Sequence, residues 1–198
     1  MQTSRSMTAP SRPESPHVCP WWIGYVLASP LRRIFFQPAK LLAPYIREGM
    51  TVFEPGPGMG FFTVELARRV GISGRVIAVD IQPRMLEGLR RRAAKAGVLE
   101  RVDARLATPD SMGIADLAGA VDFTLAFAVV HEVPDAASFL REVARVSKPG
   151  ARLLFVEPSG HVKPAQFDAE LQAARDAGFT LVETPSLPRS RAALLEKT

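Results

Sequence analysis

The sequence predicts an α/β domain: a doubly wound, seven-stranded sheet, mostly parallel, with one antiparallel strand near the C-terminus. Three observations carry this. Short apolar, β-branched runs alternate with stretches of helical periodicity from Thr51 onward, the pattern of strand–helix–strand units. The run from Val121 to Val130 is almost continuously apolar, as a central parallel strand covered on both faces should be. The last two strand patterns are joined by a short Pro-rich link with no helix in it, so that pair must be antiparallel.

The chain has 198 residues, 47% hydrophobic and 23% charged, enough for one domain with a full core. Residues 1–16 are Ser, Thr, Pro and Arg with little to bury, and read as a disordered tail. Residues 17–48 read as a helical lid segment. It contains Trp21, Trp22 and Tyr25, followed by one or two amphipathic helices between Leu31 and Ile46, interrupted at Pro38 and Pro44. The segment around Cys19 mimics a secretory signal weakly, but Pro20 and the paired tryptophans argue against one. No apolar run reaches the length of a membrane span. The single Cys19 excludes an internal disulfide and a cysteine-cluster metal site, and fits a reducing, cytoplasmic setting.

The main domain is residues 49–198. Its first strand is Thr51 to Glu54, with a helix from Gly60 to Val70 capped by Gly71. The second strand ends at Asp80, and its helix runs from Pro83 to Ala96 until Gly97 stops it. Val102 to Ala107 is the third strand and Val121 to Val130 the fourth. A helix from Asp135 to Ser147 is terminated by Lys148-Pro149-Gly150, ahead of a fifth strand from Ala151 to Glu157. Ala165 to Ala177 is the next helix, and Phe179 to Glu183 and Ser190 to Leu195 are the last strands.

The chemistry concentrates at the end of the first strand, in Glu54-Pro55-Gly56-Pro57-Gly58-Met59-Gly60. A strand ending in glycines that turns into a helix brings bare backbone close to a ligand. A dinucleotide fingerprint needs a third glycine at position 61, where Phe61 stands. An acid at the strand tip would repel a pyrophosphate but suits a cation. Asp80, at the end of the next strand pattern, is placed to accept both hydroxyls of a ribose, or to cap the following helix.

These two motifs resemble those of class I S-adenosylmethionine (SAM)-dependent methyltransferases, and the resemblance extends from about Pro38 to the end of the chain. It implies the Rossmann-like fold with one reversed strand, and S-adenosyl-L-methionine as cofactor with S-adenosyl-L-homocysteine as product. Glu54, Gly56, Pro57, Gly58 and Gly60 would hold the methionine part and Asp80 the ribose. Ile81, Met85, Thr108, Asp110, Ser111 and Phe127 would complete the cofactor's surroundings. Thr108 stands where many small-molecule enzymes of this type carry an Asp for the adenine, a place Asp110 or Ser111 would have to fill.

The stretch Ala126 to Asp135 is similar to the segment after the fourth strand in ubiquinone-biosynthesis-like methyltransferases, with His131 ahead of Val133-Pro134-Asp135. Strand carboxyl ends form the ligand crevice of open α/β sheets, so His131 is the candidate general base, or else a residue that holds the turn. Glu157 and His161, closing the fifth strand, are candidates for the far pocket wall, and Trp21, Trp22, Tyr25, Phe35 and Phe36 for the lid. The segment lacks the Asn/Asp-Pro-Pro-aromatic motif of base-amine methyltransferases, a Pro-Cys nucleophile, and a metal-binding carboxylate pair of catechol type.

A net charge of +5 raises the question of nucleic acid, but the cluster Arg90-Arg91-Arg92 with Lys95 points around a helix, and no aromatic residues interleave it. The expectation is a small-molecule methyltransferase, monomer or homodimer, without stable membrane insertion. The rivals are an RNA or protein methyltransferase and a non-catalytic SAM-binding protein.

Overall fold

The computed structural model describes residues 36–108 and 111–198. The elements are α1 (Pro38–Leu42), β1 (Thr51–Pro55), α2 (Thr63–Arg69), β2 (Arg75–Asp80), α3 (Pro83–Lys95), β3 (Val102–Leu106) and β4 (Val121–Phe127). They continue with α4 (Ala136–Val146), β5 (Ser147–Pro158), α5 (Pro164–Asp176), β6 (Phe179–Glu183) and β7 (Ser190–Lys197). The seven strands form one sheet in the order β3-β2-β1-β4-β5-β7-β6. Strands β1 to β5 pair in parallel, and β7 runs antiparallel to both β5 and β6. The expected architecture is present, with β7 as the reversed strand. Chain order reverses between β1 and β4, the switch point at which such sheets open a crevice.

Successive residues of each central strand feed opposite faces, as the period-2 pleat requires. Val52, Phe123, Leu125, Leu154 and Val156 pack with Leu42 of α1 and Leu66 of α2. Phe53, Ile77, Leu153 and Phe155 pack with Phe139 and Leu140 of α4 and Phe167 of α5. Phe155 and Phe167 stack with ring centroids 5.2 Å apart. Both faces are covered, so the central strands read as unbroken apolar runs. No described helix is long and apolar enough to cross a membrane.

Local differences from the sequence expectation have identifiable causes. α2 begins at Thr63 and not at Gly60, because Gly60 sits at φ +81 and donates its N–H to the Pro57 carbonyl, prolonging the turn. β4 stops at Phe127, and not at Val130, because Ala128 has φ +56 and a 3₁₀ turn, Val130–Glu132, follows. α4 ends at Val146, and Lys148-Pro149-Gly150, expected to terminate it, lies inside the next strand. β5 already starts at Ser147, opposite Val121, and a register shift before the Phe123–Arg152 pair absorbs the extra residues. Of the expected N-terminal helices only α1 lies in the described residues. Cys19, Trp21, Trp22, Tyr25 and Phe35 lie outside them, as does Asp110.

Candidate active site

The glycine turn carries β1 into α2 through three left-handed glycines, of which Gly56 and Gly58 have different duties. Gly56 (φ +65) donates its N–H to the Val79 carbonyl at 2.9 Å, and a Cβ there would stand 2.6 Å from Cγ2 of Val129. The turn therefore touches the loop after β4, which only a glycine permits. Gly58 (φ +54) is the opposite case: a Cβ would meet nothing within 4 Å. Pro57 is buried between them. Beneath the turn, Glu54 is buried and accepts a hydrogen bond of 2.6 Å from the Thr63 hydroxyl at the start of α2.

Asp80, at the tip of β2, closes the next wall. Its carboxylate accepts the Gln82 N–H at 2.8 Å, and the Gly58 and Ile81 N–H groups nearby also favour its charged form. Burial nonetheless pushes the carboxyl up to about 6, with the nearby Glu132 charge adding to the effect. The capping position of α3 is Gln82, which makes no side-chain cap. Beside Asp80 stand two exposed apolar side chains, Ile81 (42%) and Leu106 (55%), Leu106 being the register partner of Asp80 on β3. An exposed apolar pair flanking a buried carboxylate is the informative exception to ordinary burial.

The other expected cofactor residues are less direct. Met85 is buried against Met59 below the turn. Thr108 and Ser111 pair with each other through main-chain bonds of 3.0 and 3.4 Å. Ser111 also edges a cavity of about 250 Å³ with Ser138, Glu142 and Arg145. Phe127 belongs to an aromatic cluster, 5.1 Å from Phe36 and 4.6 Å from Phe62 by ring centroids. A second cavity, about 260 Å³, lies between α1 and the start of α2.

Across the switch point, the 3₁₀ turn after β4 presents His131. Its Nδ1 is hydrogen-bonded to Oε2 of Glu157, and the other carboxylate oxygen of Glu157 accepts the Val130 N–H at 2.8 Å. A carboxylate at Nδ1 fixes a proton there and leaves Nε2 as the working nitrogen. Nε2 lies 3.9 Å from Oε1 of Glu132. The Glu157 hydrogen bond raises the His131 pKa above its ordinary value, against the opposing effect of burial. Glu157, a candidate for the far pocket wall, is fully buried, 0% exposed, and is the hydrogen-bond partner of His131. His161 is exposed, its ring 6.0 Å from that of His131. Asp135 accepts the Ser138 N–H at 3.0 Å and caps α4.

Two residues near the strand tips were missed. Leu106 ends an otherwise ordinary strand pattern and gave no signal. Glu170 did: it occupies the apolar face of α5 with Phe167, Leu171 and Ala174, and a charged residue at that spacing is out of place.

A model of the methyltransferase domain family matches residues 53–155, from the glycine strand through β5. The chain belongs to this family. That family is the class I SAM-dependent methyltransferases. A ubiquinone/menaquinone biosynthesis C-methyltransferase, UbiE, from Klebsiella pneumoniae is 34% identical over 113 residues, and the match covers 57% of this chain and 44% of that one. The chain thus spans less than half the length of the curated relatives it matches. Among solved structures, a SAM-dependent methyltransferase from Aquifex aeolicus superposes with a TM-score of 0.79 at 25% identity, covering 90% of this chain and 98% of that one. The [4+2]-cyclase SpnF also superposes, with a TM-score of 0.64 at 22% identity over 76% of this chain and 60% of its own, which is a likeness of fold alone.

Proposed function

We propose that this methyltransferase acts on a small molecule carrying an ionisable hydroxyl or amine, whose proton His131 removes. The observation that carries the reading is the His131–Glu157 pair at the tips of β4 and β5, next to the glycine turn. The two halves are joined at the close approach of Gly56 to Val129, two residues before His131, and the Glu132 charge acts on Asp80.

The residues of the first half fit SAM. Asp80 is acceptor-rich and held from behind by backbone donors, which suits a pair of ribose hydroxyls. Ile81 and Leu106 offer an apolar flank for an adenine, and the open space at Gly58 leaves room for the methionine part. Glu54 is tied to Thr63 and buried, so it acts on the cationic tail through its field and through the turn it braces. SAM supplies an electrophilic methyl group on a sulfonium.

The chain's part in the reaction is then to hold the acceptor and take its proton. A neutral Nε2 accepts that proton, and the imidazolium formed is stabilised by the Glu157 carboxylate at Nδ1. The UbiE relatives are named as C-methyltransferases. A hydroxylated ring acceptor fits the same base, because loss of the hydroxyl proton activates either that oxygen or a neighbouring ring carbon.

Calorimetric titration with SAM and S-adenosylhomocysteine, on the wild type and Asp80→Ala, tests the first half. Micromolar binding that Asp80→Ala weakens ten-fold or more, about 1.4 kcal/mol, is the expected result. No binding to a folded wild type would sink the reading of this crevice. Screening phenols, thiols and amines with labelled SAM then tests the acceptor class, and turnover confined to thiols would remove the need for a base.

A further inference from the structure

α5 packs on β5 through Phe167 and Phe155, and it brings a second buried carboxyl within electrostatic range of the His131–Glu157 pair. Glu170 is 6% exposed, midway along α5, on the face that Phe167 and Leu171 press against the sheet. Its Oε1 accepts from Gln166 Nε2 at 3.0 Å, and its Oε2 is buried without a hydrogen-bond partner. A buried carboxyl oxygen left unpaired costs free energy, on the order of 1–3 kcal/mol, and a core-facing position on an amphipathic helix would ordinarily carry a leucine. Side chains on a helix tilt toward its N-terminus, which aims this carboxyl back toward the strand tips where α5 begins.

We propose that Glu170 is a positioning residue for His131: a buried second acid that sets the charge state in which His131 meets the acceptor. This rests on the reading of His131 as the base. Among the described residues, charged groups approach the pair from several elements. Glu157 comes from β5, His131 and Glu132 from the turn after β4, His161 from the loop before α5, and Arg191 of β7 donates to the Val162 carbonyl. Among these, Glu170 interacts electrostatically with both Glu157 and His131, and burial together with the Glu157 charge holds its own carboxyl above the ordinary range. A protonated Glu170 leaves one negative charge behind His131. An ionised one leaves two and favours the imidazolium. Glu170 therefore tunes the pH at which a neutral base becomes available.

The test follows His131 directly, by NMR titration of its imidazole in the full chain, with no methyl transfer involved. In Glu170→Gln the His131 midpoint should fall by about half a pH unit or more, as removal of one nearby buried charge predicts. The acid limb of the kcat/KM profile should move down in parallel. In the wild type itself the His131 curve should show a second inflection where the Glu170 carboxyl titrates, which needs no variant to fold. An unchanged midpoint in folded Glu170→Gln, or a wild-type curve with a single step, would overturn the proposal. If His131 titrates with Glu170 but His131→Asn keeps full turnover, the base reading falls and the coupling stands.

Discussion

The two sides of the switch point are built by different means. At the tips of β1 and β2 the working parts are main chain: left-handed glycines, and N–H groups of Gly58, Ile81 and Gln82 converging on Asp80. At the tips of β4 and β5 they are side chains brought together across 26 residues, His131 and Glu157, with the buried Glu170 of α5 in electrostatic range of both. One side is a shape fixed by backbone conformation, and the other a charge arrangement fixed by burial. They should fail differently: the first when atoms are added, the second when a charge or a titrating nitrogen is removed.

The largest effect is expected on the second side. His131→Asn keeps a polar group of similar reach but removes the titrating nitrogen, and single-turnover methyl transfer should slow by about 10²–10⁴-fold. SAM affinity, measured separately, should stay within about two-fold because His131 is not on the Asp80 wall. A variant that lost SAM binding and rate together would show that the two sides are not separable.

Adding a methyl group to the glycine turn sharpens the contrast within the first side. Gly56→Ala places Cβ 2.6 Å from Val129 Cγ2 at a left-handed φ of +65, combining a clash with strain. It should destabilise the fold by about 2–3 kcal/mol, read as a lower urea midpoint. Gly58→Ala meets no neighbour and carries only left-handed strain, about 1 kcal/mol. Its Cβ enters the space assigned to the methionine part, so SAM affinity should drop at least ten-fold, about 1.4 kcal/mol, out of proportion to its stability loss. Equal losses in both variants would mean that the opening at Gly58 is not a ligand cradle.

The same division explains what the sequence disclosed. The alternation of strands and helices, the seven-stranded sheet and the antiparallel last pair follow from periodicity and local spacing, which are short-range signals. Where a helix or strand ends depends on single backbone conformations, and Ala128 at φ +56 has no sequence signature. That is why β4 looked three residues longer than it is. The Glu157 partnership was invisible because it is set by the pairing of β4 with β5, and a strand-end glutamate looks the same whether it faces solvent or a histidine. Glu170 left a trace on the apolar face of α5, but its neighbour could be known only once α5 was packed on β5.

The smallest and most specific effect concerns Asp80. Burial raises its carboxyl from an ordinary value of 3.8 to about 6. Only the ionised form can accept two hydroxyls, and between pH 7 and pH 5 the ionised fraction drops about ten-fold, so S-adenosylhomocysteine affinity should fall by about that factor. The stability of the unliganded protein carries the opposite sign. The folded chain holds the Asp80 proton more tightly than the unfolded chain does, so this group's contribution declines as pH rises from 4 to 6. Asp80→Asn should remove both slopes together, flattening the affinity profile and subtracting the stability decline. Calorimetric titration and urea unfolding across that pH range separate the cases: an affinity slope that survives in Asp80→Asn would mean that some other group titrates against the ligand.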